Sequence, residues 1–307
     1  MSPLDELRTL IARHAGGGQP ATVHTGIPGL IVSASHSRTE PIHHVFEPVF
    51  VLVAQGVKHI LLGDRTFRYG AGHYLVVSVD LPITSHVQEA TRGKPCLSAG
   101  LMLNPTKVAT LLLESAGQSP HPAQWTLPAL GVDRAPRELL DAVLRLLRLL
   151  DRPRDALVLG PLIEREILWW LLCGPQGGMI RQIGLADSRL AQISHVIRWI
   201  RSHYAEALRI EDLSAMAGLS VSSLHRHFRA ITTLTPVQYQ KQIRLQEARI
   251  RLLSRAQDVA AIGFSVGYNS PSQFSREYRR VYGVPPGQDA ARMRDEAEPS
   301  NPVRRAF

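Results

Sequence analysis

Two stretches in the C-terminal third decide the fold. The first is LRIEDLSAMAGLSVSSLHRHFRAI, residues 208–231, and the second is DVAAIGFSVGYNSPSQFSREYRRVYG, residues 258–283. Each reads as a helix-turn-helix. A short helix carries apolar residues at helical spacing: Ile210, Leu213 and Ala217, then Val259, Ile262 and Val266. A small residue precedes a glycine by four positions, Ser214 before Gly218 and Gly263 before Gly267. That spacing allows two helices to cross closely, and the glycine supplies the turn. Ser220 and Ser270 follow, each able to cap a second helix through its hydroxyl. The second helices carry inward pairs at i, i+4: Leu224 with Phe228, and Phe274 with Tyr278. Their other faces hold His225, Arg226 and Arg229 in one unit, and Gln273, Arg276, Arg279 and Arg280 in the other. A helix fits the major groove, where Arg and Gln make bidentate contacts to guanine and adenine.

Gly218 and Gly267 are 49 positions apart. The stretch between the units, TPVQYQKQIRLQEARIRLLSRA, reads as one helix over 236–253. Eighteen helical residues span roughly 27 Å, a length suited to holding two recognition helices about one DNA turn, roughly 34 Å, apart. A lone helix-turn-helix match is weak. Two in register, with basic outer faces, argue against an ordinary helical domain.

These residues resemble the DNA-binding domain of AraC/XylS-type transcriptional regulators. GLSVSSLHRHF, IGFSVGYNSPSQFSREYRRVYG and the closing G-x-P-P carry the resemblance, which covers about 100 residues. It implies that Ser222, His225 and Arg226, then Ser272, Gln273 and Arg276, face the bases. Arg229, Arg279 and Arg280 fit phosphate contacts. Pro271 stands where the family usually has a polar residue, and is tolerated as an early helical residue.

Composition agrees. With 307 residues the chain is long enough for two domains, and 44% hydrophobic with 20% charged residues is the balance of a globular protein. Net charge is +9, which favours a polyanionic partner. Residues 188–287 hold 14 Lys+Arg against 6 Asp+Glu, so nearly all the excess, +8, lies in the candidate DNA-binding part. Cys96 and Cys173 give no disulfide framework and suit a reducing cytoplasm. No secretory leader is visible at the N-terminus, and no run of about 18 apolar residues is long enough to cross a membrane.

The remainder is organised before these units. Residues 3–15 read as an amphipathic helix with Leu4, Leu7, Leu10 and Ile11 on one face, and GGGQP at 16–20 as a linker. From about 23 to 103 the pattern changes to short strands at roughly ten-residue intervals, including PGLIVSAS, FEPVFVLVAQG, VKHILLGD, RTFRYGAG, HYLVVSVDLP, SHVQEA and PCLSAGLML. Such spacing predicts a sandwich or barrel. EPVFVLVAQGVKHILLGD and YGAGHYLVVSVDLPIT resemble the N-terminal cupin-like domain of the same regulator family. The resemblance implies a barrel that senses a small molecule.

Residues 105–174 read as three helices, with leucines or valine at 139, 140, 143, 146, 147 and 150 forming a broad stripe, and PQGGMIRQIG as an interdomain linker. RLAQISHVIRWIRSHY reads as the first helix of the DNA-binding domain, and the stretch after Gln288 as a disordered tail. The expected fold is therefore α+β multidomain. It comprises an N-terminal helix and linker (1–20), a cupin-like β-barrel with trailing helices (21–178), an all-α domain with two helix-turn-helix motifs (188–287), and a tail (288–307).

Candidate ligand contacts in the barrel are Tyr74, His86 and Cys96. Cys96 also offers thiol chemistry, provided that Lys94 and Arg92 lower its pKa. A cupin enzyme would need a metal. His43, His44, Glu47, His59, His73 and His86 are available, but adjacent His43 and His44 point to opposite faces of a strand. No metal or other cofactor is expected. The expected function is a non-enzymatic, cytoplasmic transcriptional regulator, more in the manner of an activator. Its expected partners are double-stranded operator DNA and a small effector. The resemblance adds RNA polymerase and a homodimer, with no membrane. The alternative is a metal-dependent cupin enzyme with an accessory DNA-binding domain.

Overall fold

The computed structural model describes residues 2–16, 21–115, 128–185, 188–254 and 258–297. Contacts divide the chain into two units. One holds Met1–Ile197 with Glu211–Thr235, the other Arg198–Ile210 with Pro236–Phe307.

The first unit begins with α1 (Pro3–His14), started by a capping box in which the Ser2 hydroxyl accepts from the Asp5 amide and the Asp5 carboxylate returns the bond. Among the described residues the strands that follow are β1 (Ala21–His24), β2 (Leu30–Ser35), β3 (Ile42–Phe46), β4 (Val49–Gln55), β5 (Val57–Leu62), β6 (Arg65–Gly70), β7 (His73–Val77), β8 (Leu81–Glu89), β9 (Cys96–Met102) and β10 (Leu130–Arg134). They form a six-stranded sheet of order β1-β2-β9-β4-β7-β10 and a four-stranded sheet of order β3-β8-β5-β6, all antiparallel. Gly63 (φ +61°) and Gly72 (φ +77°) close the β5–β6 and β6–β7 turns, a conformation that costs glycine little.

Helices α2 (Pro105–Glu114), α3 (Arg137–Arg148), α4 (Pro153–Cys173) and α5 (Gly177–Gly184) complete the N-terminal part. Alternation along the strands sorts the large sheet into two faces. Leu30, Val32, Phe50, Leu52, Tyr74, Val76, Leu97 and Leu101 join Leu7, Ile11, Leu139, Leu147, Ile167 and Leu171 of the helices in one core. The opposite face turns toward the four-stranded sheet.

Three expectations change here. Residues 105–174 are not wholly helical: β10 returns to pair with the free edge of β7, Val132 opposite Leu75. PQGGMIRQIG is not a linker but largely α5, because Met179 and Ile180 are buried. The polar stretch after Gln288 is helical to residue 297, as part of α12 (Pro286–Ala297). It holds because Ala290 and Met293 are buried and Asp289 has no exposed surface. Residues 17–20 of the expected GGGQP linker, and residues 298–307, lie outside the described residues.

The remaining helices are α6 (Arg189–Ser202), α7 (Ile210–Ala217), α8 (Val221–Thr232), α9 (Pro236–Ser254), α10 (Val259–Ser265) and α11 (Pro271–Tyr282). In the second unit Leu245, Ala248, Leu252, Ile262, Val266, Tyr268, Phe274, Tyr278 and Ala290 form one core from α9, α10, α11 and α12.

Candidate nucleic-acid interface and interior cavity

The two helix-turn-helix units are built to one plan with a 50-residue offset. In α8, Ser222, Arg226 and Arg229 are exposed, His225 is half-buried, and Leu224 and Phe228 are fully buried. In α11, Ser272, Arg276, Arg279 and Arg280 are exposed, Gln273 is half-buried, and Phe274 and Tyr278 are fully buried. Over residues 221–230 and 271–280 the burial pattern differs at one position only, where buried His227 corresponds to half-buried Glu277. The amphipathic spacing does this. Large apolar groups at i and i+4 fix which side is inside, and the arginines are left outside.

The local starts match as well. Ser220 Oγ accepts from the Ser223 amide at 3.3 Å, and Ser270 Oγ from the Gln273 amide at 3.4 Å. Gly218 (φ +62°) and Gly267 (φ +92°) make the turns. At Gly267 the demand is also steric, since a Cβ would fall 2.3 Å from the Ala205 carbonyl oxygen. Arg244 secures that turn by donating to the Gly267 carbonyl at 2.7 Å and to the Tyr204 carbonyl at 2.6 Å. Gly263 brings its helix close to Phe274, whose Cδ1 would lie 3.0 Å from an added Cβ.

Glu277 organises the base of α11. Its carboxylate accepts from Lys241 at 2.9 Å, Tyr268 at 3.0 Å and Gln273 at 3.4 Å. Partial burial alone would push the Glu277 pKa up, but those hydrogen bonds and the Lys241 charge outweigh it and hold the pKa below the ordinary value. Gln273 is thus steadied on the outer face. Among the described residues no carboxylate lies within 4.0 Å of Arg226, Arg229, Arg276, Arg279 or Arg280. Five arginines on two helices remain available to a polyanion.

The second site is a cavity of about 350 Å³ between the two sheets. Ile31, Val51, Ser98 and Gly100 line it from the large sheet, and His44, Phe46, Lys58, Tyr69, Ser85 and His86 from the small one. Of the ligand candidates read from sequence, His86 borders this cavity. Tyr74 does not: it shares the helix-side face with Val76, is 1% exposed, and packs on Phe50 at 5.7 Å. Cys96 is buried beyond the lining, and burial pushes its thiol pKa up, only partly opposed by Lys58. Neither Lys94 nor Arg92 is among the charges acting on it, so the thiolate needed for ready modification is disfavoured.

His43 and His44 alternate across the strand, His43 meeting Thr84 Oγ1 at 2.8 Å while His44 lines the cavity. Among the described residues no group of three or more His, Cys, Asp or Glu is placed to hold a metal. Sequence reading missed Lys58, because a strand lysine is ordinarily solvated. The signal was present in parity: Lys58 shares its strand face with buried Ile60 and Leu62.

A two-sheet domain with a cavity between its sheets, together with two helix-turn-helix units carrying basic outer faces, defines a DNA-binding regulator class. Residues 26–179 match the family described as the AraC-type transcriptional regulator N-terminus, and residues 213–292 match a helix-turn-helix domain family. The chain belongs to the AraC family of DNA-binding transcriptional regulators. It is 28% identical over 261 residues to the transcriptional activator RhaS of Escherichia fergusonii, covering 81% of this chain and 88% of that one. It is 23% identical over 249 residues to the HTH-type transcriptional regulator YdeC of Bacillus subtilis, covering 80% and 84%. A crystal structure of an apo ToxT variant from Vibrio cholerae superposes with a TM-score of 0.54 at 10% identity, covering 87% and 99%. That last likeness is one of fold. No described helix is long and apolar enough to cross a membrane.

Proposed function

We propose that α8 and α11 are the recognition helices. Ser222, His225 and Arg226, with Ser272, Gln273 and Arg276, face base edges, while Arg229, Arg279 and Arg280 contact phosphates. Residues 188–287 serve as the DNA-binding domain and 21–178 as the effector-sensing domain, with a small molecule held in the interior cavity. The protein acts in the cytoplasm as an activator, alongside RNA polymerase. The observation that carries this reading is the repeated exposure pattern of α8 and α11, in which arginines with no carboxylate within 4.0 Å among the described residues occupy equivalent outer positions. A homodimer completes the proposal. Leu157, Val158 and Leu162 of α4 support it, being 80%, 68% and 61% exposed.

The test is binding of the full-length protein to its own upstream intergenic DNA at two salt concentrations, with excess nonspecific competitor. Salt-sensitive, competitor-resistant binding to one segment is expected. Arg276→Ala should cost about 1–3 kcal/mol on the cognate site and relax base preference at one position. Arg280→Ala should weaken all sequences alike and reduce the salt slope by about 1. Unchanged specificity in Arg276→Ala would remove α11 from base recognition.

A further inference from the structure

Lys58 is a cation on the cavity wall with no carboxylate beside it among the described residues. It sits in the middle of the small sheet, opposite Tyr69 on β6 and Val87 on β8. Its side chain crosses the interior, and Nζ donates to Ser98 Oγ of the large sheet at 2.6 Å. Among the described residues no carboxylate comes within 4.0 Å of Nζ, and none lines the cavity. Lys58 is half-buried by its exposed surface, and a charge withdrawn from water ordinarily comes with a partner. Here the neighbours are a hydroxyl, a phenol, imidazoles and the Cys96 thiol, whose own pKa burial raises. Burial accordingly holds the Lys58 pKa below the usual lysine range.

The rest of the lining narrows what would supply the partner. His44 adds no second charge near neutrality, since burial, with His43 and Lys58 nearby, holds its pKa down to about 4. One positive charge calls for one negative charge, which favours a monoanion over a phosphate ester. Ile31, Ile42, Phe46 and Val51 give the other walls an apolar character. The volume, about 350 Å³, is at the lower end of small-molecule pockets, roughly 300–1,000 Å³, so the ligand is compact.

We propose that this cavity binds a small organic monocarboxylate, its carboxylate paired with the Lys58 ammonium beside the Ser98 hydroxyl and its apolar body against Ile31, Val51 and Phe46. The inference rests on the reading of the barrel as the effector-sensing domain and names the chemistry of that site. It also gives Lys58 a second signature. In the ligand-free protein the ammonium is a burden, so Lys58→Met should leave the melting temperature equal or higher while weakening recognition of the acid.

The experiment is isothermal titration calorimetry of the full-length protein at pH 7 with three compounds of one shape: cyclohexanecarboxylate, cyclohexanecarboxamide and cyclohexylmethylamine. The acid should bind saturably and at least tenfold more tightly than the amide, and the amine should not bind. Lys58→Met should weaken the acid at least tenfold and leave the amide unchanged. Should that variant fail to fold, Ser98→Ala serves instead, with a several-fold loss confined to the acid. Equal affinity for amide and acid, or full retention of the acid by Lys58→Met, overturns the carboxylate assignment but leaves effector sensing standing. Binding of none of the three overturns the assignment outright. Operator binding by the same preparation reports separately on the regulator reading.

Discussion

The Tyr278 hydroxyl donates to Asp289 Oδ2 at 2.8 Å, joining the inner face of α11 to α12. The same carboxylate, with no exposed surface, also accepts from Arg249 of α9 at 2.9 Å and from Arg292 at 3.0 Å. Three helices therefore converge on one buried charge. Asp289→Ala removes it and leaves Arg249 and Tyr278 unsatisfied, a loss of about 3–5 kcal/mol. Tyr278→Phe keeps the charge pair and should cost about 1 kcal/mol. Thermal melting of the two variants checks the order, and an Asp289→Ala protein as stable as Tyr278→Phe would contradict it.

Gly267 answers to two demands at once, a left-handed backbone and the absence of a Cβ. Gly267→Ala should lose at least about 2 kcal/mol, from backbone strain together with the collision at the Ala205 carbonyl. Gly218 has the same sign of φ but nothing within 4 Å of an added Cβ. Gly218→Ala should therefore be the milder change, by about 1 kcal/mol or more, in denaturant unfolding of both variants.

How much of this was legible in the sequence follows from how each element is specified. The helix-turn-helix units are written in short-range signals: Ser220 and Ser270 as caps, Gly218 and Gly267 as turns, and apolar pairs four apart. These settle locally, and the structure repeats them. Strands β2, β4, β5, β6, β7, β8 and β9 were legible as short β-rich runs at roughly ten-residue intervals between Gly, Asp and Pro. Strands β1, β3 and β10 were not, because a short run such as Leu130–Arg134 is defined by the neighbour that it pairs with rather than by its own pattern. Helices α5 and α12 read as linker and tail because their apolar residues are few. Tyr74 and Lys58 mark the same limit from opposite directions. Which face of a strand encloses a cavity is decided by the second sheet and by the helices, neither of which one strand records.

His44 makes stability depend on acidity. Its native pKa lies near 4, well below the ordinary 6.5, chiefly because burial disfavours the imidazolium. Between those values the unfolded chain takes up a proton that the native protein refuses. The contribution is therefore complete above about pH 6.5 and is lost as pH falls toward 4. At about 1.4 kcal/mol per pH unit, discounted for the water that a cavity admits, it amounts to roughly 1–3 kcal/mol. His44→Gln should flatten the stability profile over that range. A profile parallel to that of the parent protein would show that His44 is solvated.

Cys96 and Cys173 should differ in labelling by a thiol reagent. Cys96 is 1% exposed, whereas Cys173 is half-buried, and burial raises both thiol pKa values. One equivalent should react in the native protein and the second only on unfolding. Rapid native reaction of the Cys173→Ser variant would restore thiol chemistry at Cys96.

The near-identical burial pattern of α8 and α11 has an evolutionary corollary. The side chains that hold each helix in place, Leu224 with Phe228 and Phe274 with Tyr278, occupy different positions from the exposed arginines and serines. Fold and vocabulary are therefore separately heritable. If residues 222, 226, 272 and 276 face bases as proposed, drift there would change target preference while leaving Leu224, Phe228, Phe274 and Tyr278 in place. Residue 273 is less free, because Glu277 ties Gln273 to the same carboxylate as Lys241 and Tyr268. Paralogues that diverge in their target genes are expected to vary first at residues 226, 272 and 276, since the Ser222 hydroxyl is held by Ser220 Oγ at 3.3 Å.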